Sequence, residues 1–254
     1  LKPRDLMAFK RNYLQGTDLD MSKDIGAGPS ALPYRWRPLT WEYDGKTYFN
    51  ERVTVTQQTA FSWVAQMRSW LPDPIGGVFW YGVDDAGSSV HVPFYCGING
   101  VPHTFSEENG DILTYSDDAA FWVFNRVAHT AYLFYDRAIV DIRKAQQRFE
   151  EYFESLVPSI DAGALELYGK DKQLAVEFLT RFSHSSADNV VNQWRDLGNF
   201  LLVKYLDGNV KPEKEGEFLR NPWGFPVSPT NPDYPDSWKQ ILIEKTGDTF
   251  LIRE

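Results

Sequence analysis

Between Phe121 and Tyr152, apolar residues recur at alternating steps of three and four: Phe121, Phe124, Ala128, Ala131, Tyr135, Ala138, Ile142, Ala145, Phe149 and Tyr152. At ~3.6 residues per turn this keeps one stripe in register for roughly nine turns, so the chain must build a long helix and cover that face. Four alanines in the stripe let a neighbour approach closely, which favours helix packing over a cofactor groove. Ser116 is placed to cap the start, and Asp117 and Asp118 suit the positive end of the dipole. Ala131 falls on the buried side; Arg137 and Asp141 are expected on the far side, where change is tolerated. Pro158 is expected to end the helix. A second helix is expected over 163–181. A third starts at Ser185, with Asp188 completing a weak capping box, and runs through Val190, Trp194, Leu197 and Leu201 to Gly208.

The rest reads differently. Residues 3–14 form a short helix with Leu6, Phe9 and Tyr13 on one face, and Gly26 to Pro38 form a Gly- and Pro-rich loop. Asp44-Gly45 inside 39–49 is a hairpin signal. Residues 54–67 are nearly all apolar from Ala60 onward, as expected of a strand covered on both faces, although a helix starting near Thr59 also fits. Strands over 77–83 and 89–95 flank a turn cluster at 84–88, giving an antiparallel meander. Lys211 to Glu217 alternates charge as a solvated loop, 209–237 is loop, and 240–252 is a last hairpin around Gly247. Strands segregated from helices mean α+β, with a strand-and-loop part at 1–115, a helical block at 116–208, and a loop and hairpin at 209–254.

Composition removes several function classes. The 254 residues carry 26 Lys and Arg against 35 Asp and Glu, a net charge of -9 without a basic run, which argues against nucleic acid and anionic membranes as partners. No apolar run approaches the ~18–20 residues of a membrane span. One cysteine excludes an intrachain disulfide, and the four histidines lack metal-site spacing, so neither a metal nor a cofactor is expected. Aromatic residues reach 15%, enough to supply a core, an interface or a ligand groove.

Asp84 and Asp85 are adjacent, so they point to opposite sides and shape a turn rather than form a facing acid pair. Cys96 reads as a small buried residue at a strand end, His91 as a satisfied strand histidine, and His129 as a helix-packing residue. Gly76-Gly77 lacks the context of a phosphate loop. The densest polar run is Asn50-Glu51-Arg52 followed by Thr54, Thr56, Gln57, Gln58 and Thr59. Arg52 there suits a bidentate carboxylate clamp, and the Gln57 and Gln58 amides suit peptide groups; a solvated loop is an equal reading. Arg35, Arg37 and Arg68 are the alternative clamps. The candidate substrate-binding set is Arg52, Gln57, Gln58, Asp84 and Asp85, with no catalytic residue among them.

Three blocks carry a wider likeness: PYRWRPLTWEYDGKTYFNERVTVTQQTAFSWVAQMRSWLPDPIGGVFWYGVDDAGSSVHVPFYCGI (33–98), NGDILTYSDDAAFWVFNRVAHTAYLFYD (109–136) and WRDLGNFLLVKYLDGNV (194–210). The chain resembles, over nearly its whole length, the C-terminal half of the dipeptidase A and secernin-like family, cysteine-class dipeptidases of the N-terminal-nucleophile hydrolase superfamily. The resemblance implies part of a four-layer αββα fold and hydrolysis of dipeptides with broad specificity. It implies an N-terminal Cys nucleophile whose own α-amine accepts the proton. Position 1 here is Leu, without an initiator Met, and the single Cys is at 96, so the nucleophile is expected in a missing N-terminal half, a partner of this chain. The chain alone is then expected to be inactive; a homo-oligomer and either side of a membrane stay open. The competing reading is a non-catalytic carbohydrate- or peptide-binding module with an aromatic-lined groove.

Overall fold

The computed structural model describes residues 1–33, 39–49 and 53–252 of an α+β chain. Helix α1 spans Pro3–Phe9, ending before residue 14. Its buried residue is Met7 while Phe9 is exposed, and Tyr13 is buried beyond the helix end, so the expected Leu6–Phe9–Tyr13 face does not form. Strands β1 (Thr40–Tyr43) and β2 (Lys46–Phe49) make the expected hairpin, with Asp44 and Gly45 both at positive φ, 49° and 67°. That is the backbone a two-residue turn of this hand requires.

Strand β3 (Phe61–Met67), a short helix α2 (Asp73–Gly76), β4 (Gly77–Val83) and β5 (Val92–Tyr95) follow. The three strands form one antiparallel sheet in the order β3-β4-β5, pairing Val64 with Trp80 and Trp63 with Tyr81. Val64, Val78, Trp80 and Tyr95 face inward. The expectation that β3 is covered on both faces is corrected: burial alternates along it, and Phe61, Trp63 and Met67 are exposed. The apolar residues at Phe61, Trp63 and Met67 therefore record a second, open face, on which Trp63 packs tilted against Phe79 and Phe61 against Tyr81.

The stripe becomes two helices, α3 (Ala120–Leu133) and α4 (Tyr135–Lys170), interrupted at Phe134 (φ -144°, ψ 51°). Phe134 packs on Tyr205, and the next turn is tied to the N-terminal loop by Asp136 N–H donating to Ser30. The helix restarts at once, with Ala138 N–H on the Phe134 carbonyl, so the stripe stays buried from Phe124 to Ile142 and again at Phe149; Ala145 is partly buried and Tyr152 at the end is half exposed. Ser116 does not cap α3, whose N-cap is Ala119; its hydroxyl instead bonds within the preceding loop.

Pro158 does not end α4. The missing N–H costs one backbone hydrogen bond, but the sheet holds this turn: Tyr95 hydroxyl donates to Asp161 (2.7 Å), Arg68 pairs with Asp161, and Phe153, Val157 and Ala164 are buried. After the single residue Asp171, which caps the next helix through Gln173 N–H, α5 runs unbroken over Lys172–Tyr205. This replaces the two helices expected over 163–181 and from Ser185. Ser185, the expected cap, lies exposed inside α5, and its neighbour Ser183 is buried with Oγ accepting from the Tyr95 N–H, so that serine serves close approach to β5. The helix stops near Gly208, as expected. Within 211–217, β6 (Glu213–Lys214) pairs with β7 (Glu217–Phe218). Residues 240–252 are not a hairpin: α6 (Asp236–Thr246) ends where Gly247 takes φ 54°, the positive-φ stop of a helix rather than the bend of a turn.

Candidate functional site

One end of the sheet opens into a cavity of about 790 Å³. Its sides are the lead-in 57–60, the end of β4, the loop at 104–112, and α3 as far as Tyr132. At the floor, Asp84 N–H bonds the Ala60 carbonyl and the residue turns to φ 64°, a left-handed conformation uncommon outside glycine, asparagine and aspartate. The chain then doubles back under Asp85. Its carboxylate accepts from Gly87 N–H (2.8 Å) and from the Tyr132 hydroxyl (2.7 Å), with the Tyr13 hydroxyl at 3.4 Å. The neighbouring acids thus part company: Asp85 is locked behind the wall and Asp84 belongs to the cavity.

Asp84 is 2% exposed. Its Oδ1 accepts from Asn125 Nδ2 at 2.9 Å, while Oδ2 is buried with no hydrogen-bond partner. Burial pushes this carboxyl up to about 6, with the Asn125 hydrogen bond, the Asp85 backbone N–H and His129 opposing and the charge of Asp85 assisting. A carboxyl raised in the folded state binds protons more tightly there than when unfolded. Its contribution to stability therefore falls as pH rises from about 4 to about 6. At neutral pH the ionised group is a liability to the fold. Above the floor the walls are largely apolar, with Phe105, Ile112, Phe121 and Trp122. Trp122 pins the loop by donating to the Thr114 carbonyl at 3.0 Å. His129 is exposed at the cavity side of α3, its Nδ1 3.0 Å from the Asn125 carbonyl.

A family model for peptidase family C69 matches residues 4–148, more than half of the chain and the whole of the cavity. The chain belongs to peptidase family C69. Curated proteins yield no match to it.

In this C69 peptidase chain, Gln57, Gln58 and Asp84 come together at the cavity. Asp85 does not reach it. Arg52 lies outside the described residues, as do Arg35 and Arg37. Arg68 is buried against Asp161 and the Ile75 carbonyl, which removes it as a clamp. His91 is fully buried with Nε2 2.9 Å from Ser62 Oγ, and burial pushes it down to about 3, so it is neutral. Among the described residues no cluster of His, Cys, Asp and Glu is placed to hold a metal ion. The site residues that sequence reasoning passed over are Asn125, His129 and Tyr132. Their spacing of four and three sets a second, polar stripe on α3 beside the apolar one, a signal present in the sequence but masked by treating His129 as packing.

Cys96 is corrected from buried to exposed, since it follows β5 at the sheet end away from the cavity. Partial desolvation pushes the thiol up. A maleimide is expected to label it in the native protein, faster as pH rises, without shifting the thermal midpoint. Labelling only after denaturation would contradict this placement.

Proposed function

We propose that this chain is the substrate-cradling part of a cysteine dipeptidase of broad specificity, whose N-terminal Cys nucleophile is supplied by a preceding segment of the same protein. The separation between cavity and cysteine carries this reading. Cys96 N–H bonds the Gly77 carbonyl at the start of β4, and Asp84 follows the end of β4. At ~3.3 Å per residue these points lie roughly 20 Å apart. Cys96 therefore cannot attack a peptide held against Asp84, and a thiolate reaction there needs another cysteine. In an N-terminal nucleophile the thiol attacks the carbonyl and its own amine takes the proton.

The open sheet face supports the same reading. Phe61, Trp63 and Met67, with Phe79 and Tyr81 beside them, present an apolar layer of the kind a second sheet covers in an αββα stack. Within the cavity, Gln57 and Gln58 are proposed to hold peptide groups. Asp85 fixes the wall through Tyr132. Arg52, five positions before Gln57, is proposed as the carboxylate clamp on its fork chemistry alone.

The protein produced with its preceding segment should release amino acids from dipeptides, and alanine at the exposed N-terminal Cys should abolish release. Cys96→Ala should leave the rate unchanged, and the present chain alone should be inactive. Activity that disappears with Cys96→Ala, or turnover by this chain alone, sinks the proposal. Dipeptide binding without cleavage by the longer protein would favour a peptide-binding module instead.

A further inference from the structure

Resting on that dipeptidase reading, we infer that Asp84 anchors the free α-ammonium of the substrate, so that the cavity selects peptides with an unblocked, apolar first residue. The carboxyl is 2% exposed; Asn125 satisfies Oδ1, and Oδ2 has no partner. A buried carboxylate oxygen without a donor is costly, and a cation is the group that satisfies it best. No Lys or Arg stands among the described residues lining the cavity, and the base beside Asp84, His129, sets its Nδ1 3.0 Å from the Asn125 carbonyl and makes no hydrogen bond to the carboxyl, so a ligand ammonium is the cation that fits.

The charged or titratable groups around Asp84 are Asp85 on its own connector, His129 and Tyr132 on α3, and Asp111 on the facing loop. Asp85 is engaged by Tyr132 and turned away, and burial pushes its own carboxyl up; Asp111 lines the facing loop. Beside Asp84 the wall of Phe105, Ile112, Phe121 and Trp122 offers an apolar side chain its contacts. One end of the ligand is thereby read by charge and the next atoms by shape.

The test compares Leu-Ala with N-acetyl-Leu-Ala in the protein carrying its preceding segment. It also measures binding of leucinamide and N-acetyl-leucinamide by calorimetry. Asp84→Asn should raise KM for Leu-Ala roughly 10- to 100-fold with little change in kcat, the loss expected for one charge-assisted hydrogen bond. Turnover of the acetylated peptide should be unaffected. The parent protein should bind leucinamide more weakly as pH falls through about 6, the carboxyl being protonated there. Asp84→Asn should flatten that dependence, and His129→Gln should retain it. Because the ionised acid burdens the fold, Asp84→Asn should keep or raise the thermal midpoint at pH 8, which excludes misfolding as the cause.

Equal losses on both peptides through kcat would place Asp84 against the nucleophile's own amine and overturn the ammonium subsite. No change in KM, or equal binding of leucinamide by the variant, would overturn it as well. If no dipeptide is cleaved but leucinamide binds in an Asp84-dependent way, the peptidase reading fails and the ammonium site stands.

Discussion

Ala131→Glu is expected to remove most of the stability of the fold. Ala131 has no exposed surface, near the end of α3, where that helix packs on α5. The approach is close: a Cβ added at Gly198 of α5 would stand 3.3 Å from Val127 of α3. A glutamate there has neither room nor a partner, and overpacking together with an unpaired buried charge costs about 3–5 kcal/mol. Set against a typical stability of ~5–15 kcal/mol, that is enough to unfold a marginal domain. Leu133, two positions on, is 67% exposed, so Leu133→Glu should be near neutral. Urea midpoints for the two variants decide the matter. Equal midpoints would show that the stripe has been assigned the wrong phase.

Asp141→Ala should be the second large effect, against the sequence expectation that this residue sits on a tolerant face. Asp141 is buried and accepts from Lys204 Nζ and from the Tyr205 hydroxyl, each at 2.8 Å. Lys204 is itself buried, with Glu213 3.2 Å away as its other partner. Removing the aspartate leaves a buried ammonium and a phenol under-satisfied, a loss of about 3 kcal/mol, at the low end for broken buried pairs because Glu213 remains. Asp141→Ala combined with Lys204→Met should recover much of it, since both charges then leave together. If the double variant is as unstable as the sum of the singles, the pair is not coupled and the buried ion pair is not what Asp141 contributes.

These two residues also mark what the sequence could disclose. Ala131 was legible because a 3,4 period states which side of a helix is inside. Asp141 was not, because its partners lie 63 and 64 positions away on α5 and no local pattern announces them. The Asp44-Gly45 hairpin was legible, since turn chemistry is local. Pro158, Ser185 and Gly247 were misread for one reason: each is a local start, stop or turn signal, and tertiary support or a different neighbour decided its use. At the candidate site, Gln57, Gln58 and Asp84 stood out as polar residues beside apolar strands. The orphaned oxygen of Asp84 could be seen only once Asn125 had been brought across from α3.

The single residue between α4 and α5 bears on the order in which the chain finds its shape. Contacts such as Gly163 with Phe178, then Arg148 with Gln193, then Asp141 with Lys204 lie progressively further from Asp171. The two helices can therefore close like a zipper, each step adding little to the loop already shut. Sheet-to-helix contacts have no such ladder: Arg68 meets Asp161 across 93 positions in one closure. The helical pair is thus expected to form first and the sheet to condense on it, with the Asp84–Asn125 contact of the cavity floor closing late, an order that φ-values at Phe178 and Asn125 would check.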